Sequence, residues 1–438
     1  MSIRHLFLIG ALASAASILL GTPARAADTP PAPAMASTVL SLKEVLQAAR
    51  QNPDVMAAQR AAEAARADVQ AADRAPAPTL STGVSSIDLQ NGVGSGSFWT
   101  QKRLDKSIGL DWTWERGNKR ALRTEVAERA ARAARADGTD MGVMQQIGAQ
   151  NAFYDLLAAQ QRLQTVQAIA QSAQQLADTA GRRLKAGDLS VQDTSRTRIE
   201  AERARADVRS AQLEQQQAAL ALSLWTGQKA PAGGWAVQAA WPLAHPDTPQ
   251  GETAIEALVE QRPDVVAARE RVAAAQAALQ AAQALRSADP SIGASFDHYP
   301  DGTRTNRLLA LRISIPLNGW QRFDGEIGRA LAQEQQSQDL LQKTRLQARS
   351  ELLALLQGWQ ASAGRLKIYT EQIIPQATQV AAQAELAYSK GGLTLTDLLD
   401  ARRTLKTTQL EALAVQNEHA KALGTWQLRS THPETTTP

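Results

Sequence analysis

Two hydrophobic periods alternate along this chain. Between Gly117 and Gly227, Leu156, Ala159, Leu163, Val166, Ala170, Ala173, Ala177, Ala180 and Leu184 recur at alternating spacings of three and four. That heptad seam predicts long helices in left-handed coiled-coil contact, with alanine allowing close approach. No proline occurs between Pro78 and Pro231, and an interior proline costs a helix about 3 kcal/mol, so very long helices are permitted there. A second seam runs through Leu366, Ile373, Ala377, Val380, Ala384 and Ala387. Elsewhere the period is two, the signature of strands. Ile108, Leu110, Trp112 and Trp114 alternate with Ser107, Gly109, Asp111 and Thr113, and Leu309, Leu311, Ile313 and Ile315 lie opposite Arg312 and Ser314. Leu80 to Ile87 and Ser291 to Tyr299 are the weaker, glycine- and serine-rich partners, and polar loops are expected over Asp88–Lys106 and Pro300–Asn306.

The pattern is duplicated. Asn52-Pro53-Asp54-Val55 returns as Arg262-Pro263-Asp264-Val265, Pro78-Thr79-Leu80-Ser81 as Pro290-Ser291-Ile292-Gly293, and Gly187-Asp188-Leu189-Ser190 as Gly391-Gly392-Leu393-Thr394. Three landmarks in the same order imply a repeated unit of about 200 residues. Each unit reads helix, strand, loop, strand, long helix, tight turn, helix.

Strands of about nine residues can cross a bilayer obliquely. Four of them leave open edges, whose backbone groups lipid cannot satisfy. Closure must come from further copies, and three copies give an even, twelve-stranded barrel. Trp112 and Trp114, at the end of an aliphatic strand face, fit an interfacial aromatic position. The competing class is a soluble periplasmic coiled-coil scaffold, in which both tryptophans pack against the chain's own helices.

Composition narrows the setting. Arg4, the apolar run Leu6 to Leu20 and Ala24-Arg25-Ala26 read as a secretory signal peptide over residues 1–26. Its removal leaves 45 cations against 43 acids, scattered without the cluster that nucleic-acid binding needs. There is no cysteine, so an exported chain holds no disulfide and carries no lipid on an N-terminal cysteine. Aromatic content is only 4%, which suits long thin helical contacts better than a thick core.

No constellation pairs a nucleophile with a base, which reads against an enzyme. His5, His245, His298, His419 and His432 are scattered, and Met56, Met141 and Met144 do not supply a dedicated transition-metal site. No cofactor is expected. Gly187 and Gly391 suit tight reversals between helices, and Ser190 and Thr394 suit the N-caps that follow. Asp188, Asp193, Asp397 and Asp400 near those turns complement helix N-termini. Repeated about a threefold axis, they would also form a negative periplasmic gate favouring cations.

The order of parts resembles the TolC-like outer-membrane efflux proteins over nearly the whole mature chain, from Ser41 to about Trp426. Leu42-Lys43-Glu44-Val45-Leu46 through Asn52-Pro53-Asp54 is similar to the family's opening helix, and Ile255 to Asp264 to its second copy. Gly187 to Asp193 and Gly391 to Ala401 resemble its periplasmic turns, and Ile313-Ser314-Ile315-Pro316-Leu317-Asn318 a strand exit. Glu115-Arg116-Gly117-Asn118-Lys119-Arg120 resembles the Glu-x-Gly-Gly-Lys-Arg segment of the heavy-metal, CzcC-like branch, with Asn118 in place of one glycine.

The resemblance implies a mainly α homotrimer with a small β part. A twelve-stranded barrel in outer-membrane lipid would continue as a helical tube through the periplasm, docked by a periplasmic adaptor to a proton-driven inner-membrane pump. It implies adaptor contact at Gly187, Leu189, Ser190, Gly391, Leu393 and Thr394. Expected cargo is divalent heavy-metal cations, with drugs or a secreted protein as the alternative. The divisions are residues 27–40 as a flexible N-terminal segment, 41–227 and 253–428 as the repeats, 228–252 as an equatorial segment, and 429–438 as a flexible tail.

Overall fold

The computed structural model describes residues 38–99, 101–231, 234–243, 252–301, 304–317 and 322–430. The signal segment, most of residues 27–40 and of the tail, and His5, His245, Asn318 and His432 lie outside the described residues.

The first repeat runs β1 (Thr38–Leu40), α1 (Leu42–Ala49), α2 (Pro53–Ala72), β2 (Thr79–Ser85), β3 (Asp105–Thr113), α3 (Lys119–Lys185) and α4 (Val191–Thr226). After β4 (Trp235–Val237), the second runs α5 (Glu252–Gln261), α6 (Pro263–Ala284), β5 (Ser291–Asp301), β6 (Arg304–Ser314), α7 (Asp324–Ile368), a π-helical turn (Tyr369–Ile373), α8 (Ile374–Ser389) and α9 (Leu395–Ser430). The 67 residues of α3 make a rod of about 100 Å at 1.5 Å per residue.

Each opening helix is two helices rather than one. A residue before proline is pushed out of the α region, and Asn52 and Arg262 are extended at ψ 142° and 137°. The chain therefore turns before Pro53 and Pro263. The duplication reappears in the packing, where Val45, Ala49 and Val55 are buried in the first repeat and Ile255, Val259 and Val265 at the matching places in the second. One core gathers Val45, Phe153, Leu156 and Leu222 with Trp235 and Val237 of β4. Its counterpart gathers Ile255, Val259, Leu352 and the stacked pair Trp359 and Trp426.

The segment between the repeats docks on the first one. Trp235 donates from Nε1 to Ser223 Oγ at 2.7 Å, and Trp241 to Gln161 Oε1 at 2.8 Å. β4 pairs in parallel with β1, so Thr38–Leu40, expected at the end of a flexible segment, are a strand. Likewise Arg429 and Ser430, assigned to the tail, end α9.

The α3 seam is buried or half-buried throughout. The second seam breaks at Val380, which is 52% exposed, while Ala381 is buried in its stead. Ala377 and Ala384 stay buried on either side of Val380, so the departure is local. The π-helical turn lies just before Pro375, which has no N–H for the preceding turn and whose ring crowds the carbonyl of residue 371. The wider turn accommodates that clash. The strands also differ from expectation at one end, since β5 and β6 pair as far as Asp301 and Arg304. Residues 300–301 and 304–306, expected in a loop, are paired strand.

Candidate functional site

The four long strands form one antiparallel sheet in the order β2-β3-β5-β6, leaving β2 and β6 as edges. Its register puts Leu80, Leu110, Ala294 and Leu311 in one row. The next rows are Thr82, Ile108, Phe296 and Leu309 on one side and Trp112, Ile292 and Ile313 on the other. All these side chains share a face, because directly opposed residues project the same way. Asp105, Asp111 and Asp297 project from the other face, with Ser107, Gly109, Ser295 and Arg312.

The apolar face is uncovered. Leu309, Leu311 and Ile313 are 75%, 78% and 70% exposed, and Trp112 and Trp114 are 51% and 59% exposed. Burying one such aliphatic side chain is worth about 2 kcal/mol, so β6 alone leaves several kcal/mol unrealised in water. The tryptophans are not tucked against the chain's own helices, which is what the soluble scaffold requires. Trp114 lies one residue past β3 and stays anchored, its N–H donating to the Pro290 carbonyl at 2.9 Å.

The segment from Glu115 to Arg120 is the joint between sheet and rod. Gly117 and Asn118 both have left-handed backbone, at φ +73° and +61°. Asparagine is among the few side-chain-bearing residues that tolerate this region, so Asn118 fits where the related segment carries glycine. Asp289, on the strand entry of the second repeat, accepts from the Arg116 N–H at 2.8 Å and from Lys119 Nζ at 2.6 Å. Arg120 pairs with Asp73, and Arg123 with Glu115. Charge pairs thus tie both repeats together where the strands become helices.

At the far end of the rods, α3–α4 and α8–α9 turn by the same device. The Asp188 N–H reaches the Arg183 carbonyl at 2.9 Å around Gly187 (φ +85°), and the Gly392 N–H reaches the Ala387 carbonyl at 2.9 Å around Gly391 (φ +77°). These are glycine-closed helix ends. Ser190 Oγ accepts from the Asp193 N–H at 3.0 Å, and Thr394 Oγ1 from the Asp397 N–H at 3.3 Å, so both residues are N-caps. Leu189 and Leu393 are half-buried beside exposed Gly187, Ser190, Gly391 and Thr394. Asp188, Asp397 and Asp400 are exposed and Asp193 is half-buried. Asp193 and Asp397 bond their capping hydroxyls at 2.7 and 2.6 Å, and Asp400 pairs with Arg403 at 3.5 Å. The hairpins lie side by side, linked by Arg183 to Tyr388 at 3.3 Å, Arg196 to Thr396 at 3.1 Å, Arg403 to Glu200 and Lys406 to Asp207.

This sequence matches the outer membrane efflux protein family over residues 45–228 and 254–425, one span per repeat. The chain belongs to that family. Among its relatives, the cobalt-zinc-cadmium resistance protein CzcC of Cupriavidus metallidurans is 29% identical over 319 residues, covering 71% of this chain and 73% of CzcC. A solved structure of CusC matches with a TM-score of 0.74 at 19% identity, over 89% of this chain and 92% of that one. The Campylobacter jejuni CmeC outer membrane channel matches with a TM-score of 0.75 at 14% identity, over 89% and 85%. The protein is an outer-membrane efflux channel and not an enzyme.

For an efflux channel the uncovered apolar face has an evident use. Among the described residues no helix is long and apolar enough to cross a membrane, and no three His, Cys, Asp or Glu side chains group to hold a metal ion. His298 bonds the Trp99 carbonyl at 2.8 Å, and His419 is fully buried beside Ser362. Sequence reasoning missed Phe98 and Trp99. They form an edge-to-face pair, with Phe98 over the Lys106 ammonium, at the strand ends opposite Trp112 and Trp114. Their loop position gave no period to read. It also missed the ion network of Arg262, Glu351, Arg429 and Asp140, because only the fold brings four helices to one place.

Proposed function

We propose that three copies close into the exit duct of a tripartite efflux pump that carries divalent heavy-metal cations. The observation that carries this reading is a sheet with an exposed apolar band on one face and two open edges. Lipid accepts the face but not the edges. Pairing β6 of one copy with β2 of the next satisfies the edges and makes twelve strands, with the Asp, Ser and Arg face lining a wet lumen. Trp112 and Trp114 then stand at the periplasmic interface. The rods extend from that interface into the periplasm. Residues 41–227 and 253–428 are the two repeats of the duct wall, and 228–252 lies on its outside.

At the glycine-closed tips, Gly187, Leu189, Ser190, Gly391, Leu393 and Thr394 meet a periplasmic adaptor, which couples the duct to a proton-driven inner-membrane pump. Leu189 and Leu393 are the apolar anchors there and the capped turns hold them in place. Asp188, Asp193, Asp397 and Asp400 ring the periplasmic mouth and favour cations. The likeness to CzcC, whose name specifies cobalt, zinc and cadmium resistance, supports a metal cargo. The duct passes it without ligating side chains, as the scattered histidines suggest.

The test is a deletion strain challenged separately with cobalt, zinc, cadmium and a panel of organic toxicants. Sensitivity to the metals, restored by the wild-type chain, is the expected result. Sensitivity to the organic compounds alone would transfer the cargo to drugs.

A further inference from the structure

Beyond the apolar band, on the same sheet face and one row from Ile108, Phe296 and Leu309, stand Lys106, His298 and Arg307 in direct register on β3, β5 and β6. Neighbouring strands are about 4.8 Å apart, so the two permanent cations lie about 10 Å apart with an imidazole between them. The acids of the sheet with described side chains, Asp105, Asp111 and Asp297, project from the other face. Among the described residues neither Lys106 nor Arg307 has a carboxylate partner. Lys106 is the sharper case. It is 8% exposed, yet its ammonium has only a long 3.4 Å contact to the Leu104 carbonyl and the Phe98 ring at 4.9 Å. A buried charge with so little compensation is expensive unless an anion completes its shell.

We infer that this row binds the phosphate of an outer-leaflet glycolipid headgroup of the lipid A type. The inference rests on the duct reading above, which fixes the orientation. With the rods in the periplasm, the Lys106 row lies at the outer end of the barrel, where the apolar band gives way to headgroups. Exposed Trp99, stacked edge-to-face on Phe98 and tied through its carbonyl to His298, occupies the level of an interfacial aromatic. Arg307 presents a guanidinium fork suited to phosphate. Charge complementarity therefore selects an anionic amphiphile, and the position selects the leaflet.

The experiment uses the full mature chain inserted in phosphatidylethanolamine vesicles. These are doped with bisphosphorylated lipid A, dephosphorylated lipid A or phosphatidylglycerol, and retained lipid is counted by native mass spectrometry. The wild type is expected to prefer bisphosphorylated lipid A over the dephosphorylated form by about tenfold, the worth of one charge-assisted hydrogen bond. Arg307→Gln and Lys106→Met should each reduce that preference severalfold, and Arg312→Gln on the opposite face should leave it intact. Arg307 is exposed, so its variant decides the matter even where Lys106→Met fails to fold. Equal retention of the two lipid A forms, a preference that survives both substitutions, or equal retention of phosphatidylglycerol would overturn the inference. A wild-type chain that inserts normally and shows no preference overturns this inference alone. A chain that does not insert overturns the duct reading with it.

Discussion

Arg262 reaches Glu351 at 2.8 Å from the position that Asn52 fills in the first repeat. The same guanidinium holds Asp264 at 2.8 Å, and Arg429 spans Glu351 at 3.2 Å and Asp140 at 2.7 Å. Asn52 instead turns inward along its own repeat, donating to the carbonyls of Leu224 and Trp225 at 3.0 Å each and capping α2 through the Asp54 N–H. A shared backbone bend before proline thus carries a helix-closing amide in one half and a four-helix charge network in the other.

Replacing Arg262 with methionine is expected to cost about 2–3 kcal/mol. That is less than the ~3–5 kcal/mol of a fully buried pair, because Asp264 and Glu351 keep contact with water. Guanidinium unfolding followed by circular dichroism measures it. A variant as stable as the wild type would remove the network from the account.

The same residue sets a pH dependence. Burial pushes the Asp264 carboxyl up, but the Arg262 guanidinium more than offsets this and holds it below the ordinary carboxylate value. A depressed folded-state pKa gives stabilisation that is complete above the unfolded value, about 3.9, and fades as pH falls through the folded one. The gap between wild type and Arg262→Met should therefore be widest near neutrality and narrow below about pH 4. A gap constant from pH 7 to pH 3 would show that the ion pair is not its source.

Asn52→Ala removes the amide from both carbonyls at the α4 terminus, leaving Leu224 with only the Gly227 N–H at 3.3 Å, and removes a cap. The expected loss is about 2–3 kcal/mol, read as a lower thermal midpoint. An unchanged midpoint would mean that water replaces the amide at no cost.

Gly148 lies under the Trp225 ring, where an added methyl would sit 2.3 Å from ring carbons. Gly148→Ala must separate α3 from α4 at the equatorial core. A destabilisation of about 1–3 kcal/mol is expected, although alanine is the better helix former. A stabilised variant would show that the contact is loose.

Changing Leu189 and Leu393 together to glutamate should abolish efflux in cells while the protein still reaches the outer membrane at wild-type levels. Full resistance in that strain would place adaptor contact elsewhere.

Much of this was legible in the chain. The Pro, Gly and Asp landmarks gave the duplication, and the alternation at Ile108 to Trp114 gave the face that the sheet exposes. Asn118 read as a departure until its positive φ explained it. Other features needed distances across the fold. The period of a strand gives its faces but not its register, so the row of Lys106, His298 and Arg307 was invisible until β3, β5 and β6 were aligned. Val380 lies off its seam while Ala377 and Ala384 stay on it, a local departure that periodicity averages away. Phe98 and Trp99 sit in a loop without a period, and Arg262 meets Glu351 and Arg429 only through tertiary packing.

The central claim is that the sheet edges of separate copies join around a lumen in lipid. Native mass spectrometry of the mature chain extracted in lipid nanodiscs counts the copies directly. Three chains per particle, held together after the surrounding lipid is stripped, is the predicted result. A single chain that leaves the lipid and stays soluble as a monomer would contradict it.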